Sequence, residues 1–318
     1  MNRPPQLHGL TAARGIAAWL VVLYHMRGGL PWLPETAMAV AHKGYLAVDF
    51  FFVLSGFVIW LTAHTEFRER GFAATADFLK RRAARIYPLY AAMLAATVLF
   101  AAVLTMTGRD SSGYPWRELP LHVLMLQNWG FTDALSWNHP AWSISTEFAA
   151  CLLFPLLAVF VPLARAPRWI LVVGIAAVIA LLALTLGAMG HRGLNADIPA
   201  NGLIRCLAEF TAGTMLCALW QANRGQSAPF QAGRLAALVA FGAALAWAGA
   251  AVRELWAFPA IAAAVIYLLA LASERLVPVR EPAAIIRPFV WLGEISYATY
   301  LSHFMLFSWF KIILVDDP

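Results

Sequence analysis

Charge is what this sequence has least of. Asp, Glu, Lys and Arg supply 13% of its 318 residues while hydrophobic residues supply 61%, and the mean hydropathy is +0.69. Soluble domains carry roughly 25% charged residues, so a water-soluble globular fold is excluded and lipid is the expected solvent. Cysteine is scarce too. Cys151, Cys206 and Cys217 all fall inside apolar runs, with no C-x-x-C spacing and no His in metal-ligand register. No metal site follows from them, and they read as small hydrophobes. No G-x-S-x-G, H-E-x-x-H or Gly-rich phosphate loop occurs, so hydrolase, metalloprotease and ATPase chemistries lack their motifs. Low-complexity linkers and fixed-period repeats are missing as well, which points to one membrane domain over residues 1–318 with no appended globular domain.

What is present is a series of apolar runs, near 10–29, 44–64, 84–106, 145–163, 169–189, 200–221, 234–251, 254–272 and 289–314. Each approaches the ~20 residues a helix needs to cross the hydrocarbon core. The expected fold is therefore an all-α polytopic transmembrane bundle with nine spans, or ten if a short piece at 119–128 enters the membrane. If the N-terminus is cytoplasmic, the inner side collects most of the 23 Lys and Arg, from Arg3 through the basic 64–87 connection to Arg280 and Arg287. The positive-inside rule supports that orientation, and the net charge of +6 then reports topology rather than a nucleic-acid partner. A cleavable signal peptide ending at Ala39-Val40-Ala41 is the competing reading of the first span. That site lies ~10 residues past a segment that already has the length of a span.

Ionisable residues inside spans are costly, so each one is a candidate functional group. Arg14 and His25 lie eleven residues apart on nearly one face of the first span, separated by about 16 Å of helical rise. Arg14 alone also reads as a snorkelling anchor and His25 alone as a packing residue. Yet imidazole has the near-neutral pKa that a general base needs. The N-inside topology places Asp49, Glu147, Arg205, Glu209 and His303 at the level of His25, in five spans altogether. On the opposite side Arg82 and Arg85 stand i and i+3 on a basic helix, beside Lys80 and Arg81. Their guanidinium groups can converge on one anion, and Arg suits phosphate. Anionic lipid is the bland alternative ligand.

Six segments in order resemble the acyltransferase-3 family of integral membrane acyltransferases. They are Leu10–Gly15 with Tyr24-His25, then Gly44–Phe57, Arg81–Tyr90, Trp142–Glu147, Arg205–Phe210 with Gly213, and Leu292–His303. The family's Arg followed after ten residues by His matches Arg14 and His25, where the His is considered catalytic. Its paired arginines match Arg82 and Arg85, on the acyl donor, and its Trp-Ser-x-x-x-Glu segment matches through Glu147. Asp49, Arg205, Ser296, Tyr297 and His303 match family positions as well.

The resemblance implies an O-acyltransferase of a bacterial inner membrane that uses acyl-coenzyme A, most simply acetyl-CoA, and no metal. The donor phosphates are expected on Arg82 and Arg85, with Arg81 or Lys80 assisting, and the pantetheine arm passing Arg14. The acceptor, a glycan or lipid-linked sugar, is expected from the other side across Trp129, Trp137 and Trp142, with Ser143 nearby. His25 removes the acceptor proton, and Glu147 or Asp49 orients it, as a carboxylate does in hydrolytic triads. A covalent acyl-enzyme on Ser55 or Ser143 is the variant mechanism. A transporter or glycan flippase, whose buried charges gate a path without bond chemistry, is the competing class. The oligomeric state is not legible.

Overall fold

A computed structural model describes residues 7–224, 229–275 and 283–312. Arg3 and Arg280, counted above among the inner-side charges, lie outside the described residues. Among the described residues twelve α-helices follow one another: α1 His8–Met26, α2 Glu35–His42, α3 Ala47–Arg70, α4 Thr75–Met106, α5 Leu119–Val123, α6 Ala141–Phe160, α7 Arg168–Ala188, α8 Ile198–Asn223, α9 Pro229–Ala248, α10 Glu254–Arg275, α11 Arg287–Glu294 and α12 Ser296–Phe310. No strand occurs among the described residues.

Among the described residues seven helical stretches are long and apolar enough to cross a membrane, and one of them, residues 35–106, is 72 residues long. That stretch holds α3 and α4, folded back on each other through a 3₁₀ turn at Gly71–Ala74. Phe67 meets Phe78 with ring centroids 5.5 Å apart, and Arg81 ion-pairs with Glu66 across the fold. That single stretch therefore holds two long helices.

Two departures from the expected spans matter for the site. Residues 119–128 contain only the five-residue α5, tied to the bundle where Tyr90 donates to the His122 carbonyl (2.7 Å) and Ser145 to that of Met125 (2.7 Å). No full span forms there. The run at 289–314 is broken at Ile295 into α11 and α12.

Small residues let these helices approach closely, the usual way helices pack when lipid leaves no hydrophobic drive between them. A Cβ on Gly56 of α3 would stand 1.9 Å from the Phe210 carbonyl oxygen of α8, and one on Gly213 2.0 Å from that of Val53. This crossing brings Asp49 of α3 against Arg205 of α8. At α1 and α11 the same device operates, since a Cβ on Gly15 would lie 2.6 Å from the Gly293 nitrogen.

Candidate active site

Two cavities bring the candidate residues together. The first, about 160 Å³, is lined by Arg14, Ser55, Arg82, Arg85, Glu147 and Tyr297 among others. Its geometry starts from the break at Ile295. Ending α11 there frees the Gly293 carbonyl, as the last carbonyls of any helix are freed. The close α1–α11 packing lets Arg14 reach it through Nε (3.0 Å) and Nη2 (2.6 Å), and Ser296 Oγ donates to the same oxygen at 2.8 Å. Tyr297 fixes α12 to α4 by donating to the Ile86 carbonyl at 2.7 Å.

Arg82 is half-buried, with Nη2 at 3.4 Å from Thr62 Oγ1 and its guanidinium over the Phe78 ring. Arg85, one turn on, is exposed and makes no hydrogen bond or ion pair among the described residues. Glu147 accepts from Ser55 Oγ at 2.5 Å. With Glu294 the carboxylates number two against three arginines, which leaves the cavity electropositive. Arg81, expected with the donor, points elsewhere: it pairs with Glu66 and does not line the cavity.

The second cavity, about 300 Å³, is lined by Tyr24, His25, Tyr45, His139, Trp142 and Arg205 among others. Val48 and Tyr300 line both cavities and so form the wall between them. Tyr300 is fixed there, its hydroxyl 2.7 Å from Ser143 Oγ and 3.0 Å from the Pro140 carbonyl. Tyr45 is held by Glu254, which accepts from its hydroxyl at 2.7 Å and from Lys43 Nζ at 2.6 Å. His139 stacks on Phe304 with centroids 4.8 Å apart, and burial holds this loop imidazole below its ordinary pKa, hence neutral. His25 Nδ1 lies 3.0 Å from the Val21 carbonyl and 3.1 Å from His303 Nε2.

The expected neighbours of His25 are therefore corrected. Glu147 sits in the first cavity on Ser55, and Asp49 is fully buried against Arg205, whose Nε and Nη2 donate to Oδ1 at 3.1 and 2.6 Å. Neither carboxylate bonds to His25. Glu209 is buried as well, one turn beyond Arg205 on α8, and neither of its carboxylate oxygens has a hydrogen-bond partner among the described residues. Pairing Asp49 with Arg205 offsets two charges that each would be costly alone in lipid. Arg205 also stacks over Trp142 at 5.4 Å, which brings both to the His25 cavity.

The expected aromatic acceptor surface is not continuous. Trp137 is 1% exposed and packs inside the 107–140 connection against Trp116, its indole N–H donating to the Pro115 carbonyl. Trp129 donates to the Ser145 carbonyl at 3.1 Å, and only Trp142 lines the cavity. Sequence reasoning missed His139, Tyr300 and Glu294. Tyr300 and Glu294 lie inside the 292–303 segment already singled out, and His139 stands three residues before Trp142.

The family model described as an acyltransferase domain, Acyl_transf_3, matches residues 7–317. The chain belongs to the acyltransferase-3 family. This multi-pass acyltransferase is similar to acyltransferase MdmB of Streptomyces mycarofaciens, 29% identical over 96% of this chain and 80% of that one. It is also similar to O-acetyltransferase OatA of Staphylococcus aureus (strain NCTC 8325 / PS 47), 27% identical over 50% of this chain and 26% of OatA. "Protein 2 in picA locus" of Rhizobium radiobacter is 37% identical over 31% of this chain and 48% of its own length. No solved structure matches. Membership of an acyltransferase family sets aside the transporter and flippase readings.

Proposed function

We propose that this acyltransferase moves an acyl group, most simply acetyl, from cytoplasmic acyl-coenzyme A to a hydroxyl of an extracytoplasmic or lipid-linked glycan, with His25 as general base. The observation that carries the reading is the pair of cavities set back to back across Val48 and Tyr300. One offers arginines and the other an imidazole. Phosphates of the donor engage Arg85 and Arg82, the guanidinium groups with donors to spare, and charge-assisted contacts of this kind are the strong ones. Arg14, pinned on Gly293, walls the path of the pantetheine arm. The Arg14–His25 rise of about 16 Å is comparable to the length of that arm, so the thioester reaches the wall while the nucleotide stays on the arginine side.

In the second cavity the acceptor hydroxyl attacks the thioester carbonyl carbon while His25 takes its proton. A C–O bond forms, the C–S bond breaks, and the proton passes from His25 to the departing thiolate, which leaves as the free thiol of coenzyme A. In this orientation the N-terminus and the Arg82 side face the cytoplasm of a bacterial inner membrane. Reconstitution in vesicles tests the reading, with labelled acetyl-CoA on the Arg82 side and glycan acceptors on the other. Transfer of label across the bilayer by wild type, lost in His25→Ala, is the expected result. Transfer that survives in His25→Ala removes His25 as the base, and labelling that needs donor and acceptor on the same side overturns the two-cavity route.

A further inference from the structure

The two imidazoles at the far wall carry a proton assignment that follows from their partners alone. His303, at the middle of α12, is 8% exposed, and its Nδ1 lies 2.6 Å from the Tyr300 carbonyl and 3.3 Å from that of Thr299. A carbonyl oxygen only accepts, so Nδ1 of His303 carries the hydrogen, and in the neutral ring Nε2 presents a lone pair. That lone pair faces His25 Nδ1 at 3.1 Å, and the second neighbour of the same nitrogen is the Val21 carbonyl at 3.0 Å. Nδ1 of His25 is thus enclosed by two acceptors and must itself be the donor. The opposite assignment sets lone pair against lone pair at Val21, and again at Tyr300. With its hydrogen on Nδ1, neutral His25 keeps the Nε2 lone pair available, and the ring lines the larger cavity. Which nitrogen of a His is protonated is set by the bond that the other one makes.

We propose that His303 is the positioning residue of the acyl-transfer base, holding His25 through Nδ1–H···Nε2 in the tautomer whose Nε2 is open to the acceptor hydroxyl. The inference rests on the reading of His25 as the base. It gives the imidazole, in place of the carboxylate of soluble triads, a chain that runs from His25 through His303 to a backbone carbonyl. No net charge has to be buried in lipid to orient the base, whereas a carboxylate at the same point would add one. The chain also ties α1 to α12, the helix that follows the break at Ile295.

The first test needs no variant. ¹⁵N spectra of imidazole-labelled wild-type protein in bilayers are expected to show His25 with Nδ1 protonated and Nε2 bare. A His25 ring protonated on Nε2 alone overturns the proposal. Substitution supplies the second test. His303→Phe keeps the ring volume but removes the acceptor, and kcat is expected to fall about 10²-fold or more with the donor KM near wild type, since a positioned base contributes roughly 10²–10⁴-fold. In His303→Gln the side-chain oxygen replaces Nε2 as acceptor, and kcat is expected to recover to within about tenfold of wild type. His303→Gln as inactive as His303→Phe, or His303→Phe as active as wild type, overturns the positioning role. His25→Ala measured alongside separates this outcome from failure of the base itself: if His25→Ala is active, the reading of His25 falls, whatever His303 does.

Discussion

The two cavities use charge in opposite ways. In the first, Arg85 is exposed and unpaired among the described residues, and Arg82 is held only by Thr62 and the Phe78 face. In the second, the guanidinium of Arg205 is 1% exposed and already committed to Asp49. The imidazole of His25 is likewise bound through one nitrogen to Val21 and His303. Loosely held cations suit an anion that arrives and leaves. Committed groups suit a site whose geometry must persist through the reaction. Under the proposed function the difference separates a docking region from a chemical one, with Val48 and Tyr300 as the wall between them.

The sharpest way to break that division is to compare kinetic parameters across it. His25→Ala is expected to lower kcat by about 10²–10⁴-fold, the contribution of a positioned base, with the donor KM little changed. Steady-state rates over a range of acetyl-CoA concentrations decide this, and a KM effect without a kcat effect would move His25 to the docking side. Arg205→Ala probes commitment instead of chemistry. It strands Asp49 and Glu209 in a fully buried place, and breaking such a pair costs about 3–5 kcal/mol. Thermal unfolding in detergent should show a large loss. Arg205→Ala that stays as stable as wild type but fails to bind acceptor would recast Arg205 as a substrate ligand.

Much of this arrangement is legible in the sequence. The apolar runs gave the helices because lipid demands a nearly unbroken apolar stretch. For the same reason they do not show the break at Ile295, since the sequence is largely apolar on both sides and the residues next to the break, Glu294 and Ser296, are no more polar than others within the run such as His303 and Lys311. His25 and His303 were placed in one layer by depth, but their contact joins residues 278 apart. No local pattern reports which members of a layer touch. A carboxylate partner for His25 was expected by analogy with water-exposed triads. In the structure the carboxylates go where cations or a hydroxyl compensate them, Asp49 to Arg205 and Glu147 to Ser55. Trp137 is expected on the acceptor surface beside Trp142, but its indole is consumed in folding the 107–140 connection.

On the docking side the effects should be smaller and of the other kind. Replacing Arg82 and Arg85 together by Ala is expected to raise the donor KM by about ten- to a hundredfold, from the ~1.5–3 kcal/mol that hydrogen bonds to charged groups contribute, while kcat at saturation stays near wild type. Exposed contacts are screened by salt, so the wild-type KM should rise with ionic strength and that of the double variant much less. Equal salt dependence in the two proteins would mean that the donor phosphates bind elsewhere.

The smallest effect is expected at Ser55, and it bears on which side of the wall the acyl group first leaves sulfur. Ser55 Oγ lies in the arginine cavity with its proton directed at Glu147, 2.5 Å away. That contact has the outward form of an activated nucleophile, a hydroxyl held by a base, and a covalent route would place the acyl group there before the acceptor receives it. Direct transfer at His25 gives the hydroxyl a different duty: it satisfies a carboxylate that faces three arginines. Ser55→Ala then removes one hydrogen bond of about 1–3 kcal/mol and should leave kcat within a few-fold of wild type, with no protein-bound label when acetyl-CoA is supplied without acceptor. Label retained by wild type and lost in Ser55→Ala would reverse the assignment, because the first bond-making step would then belong to the docking cavity and His25 would serve only the second.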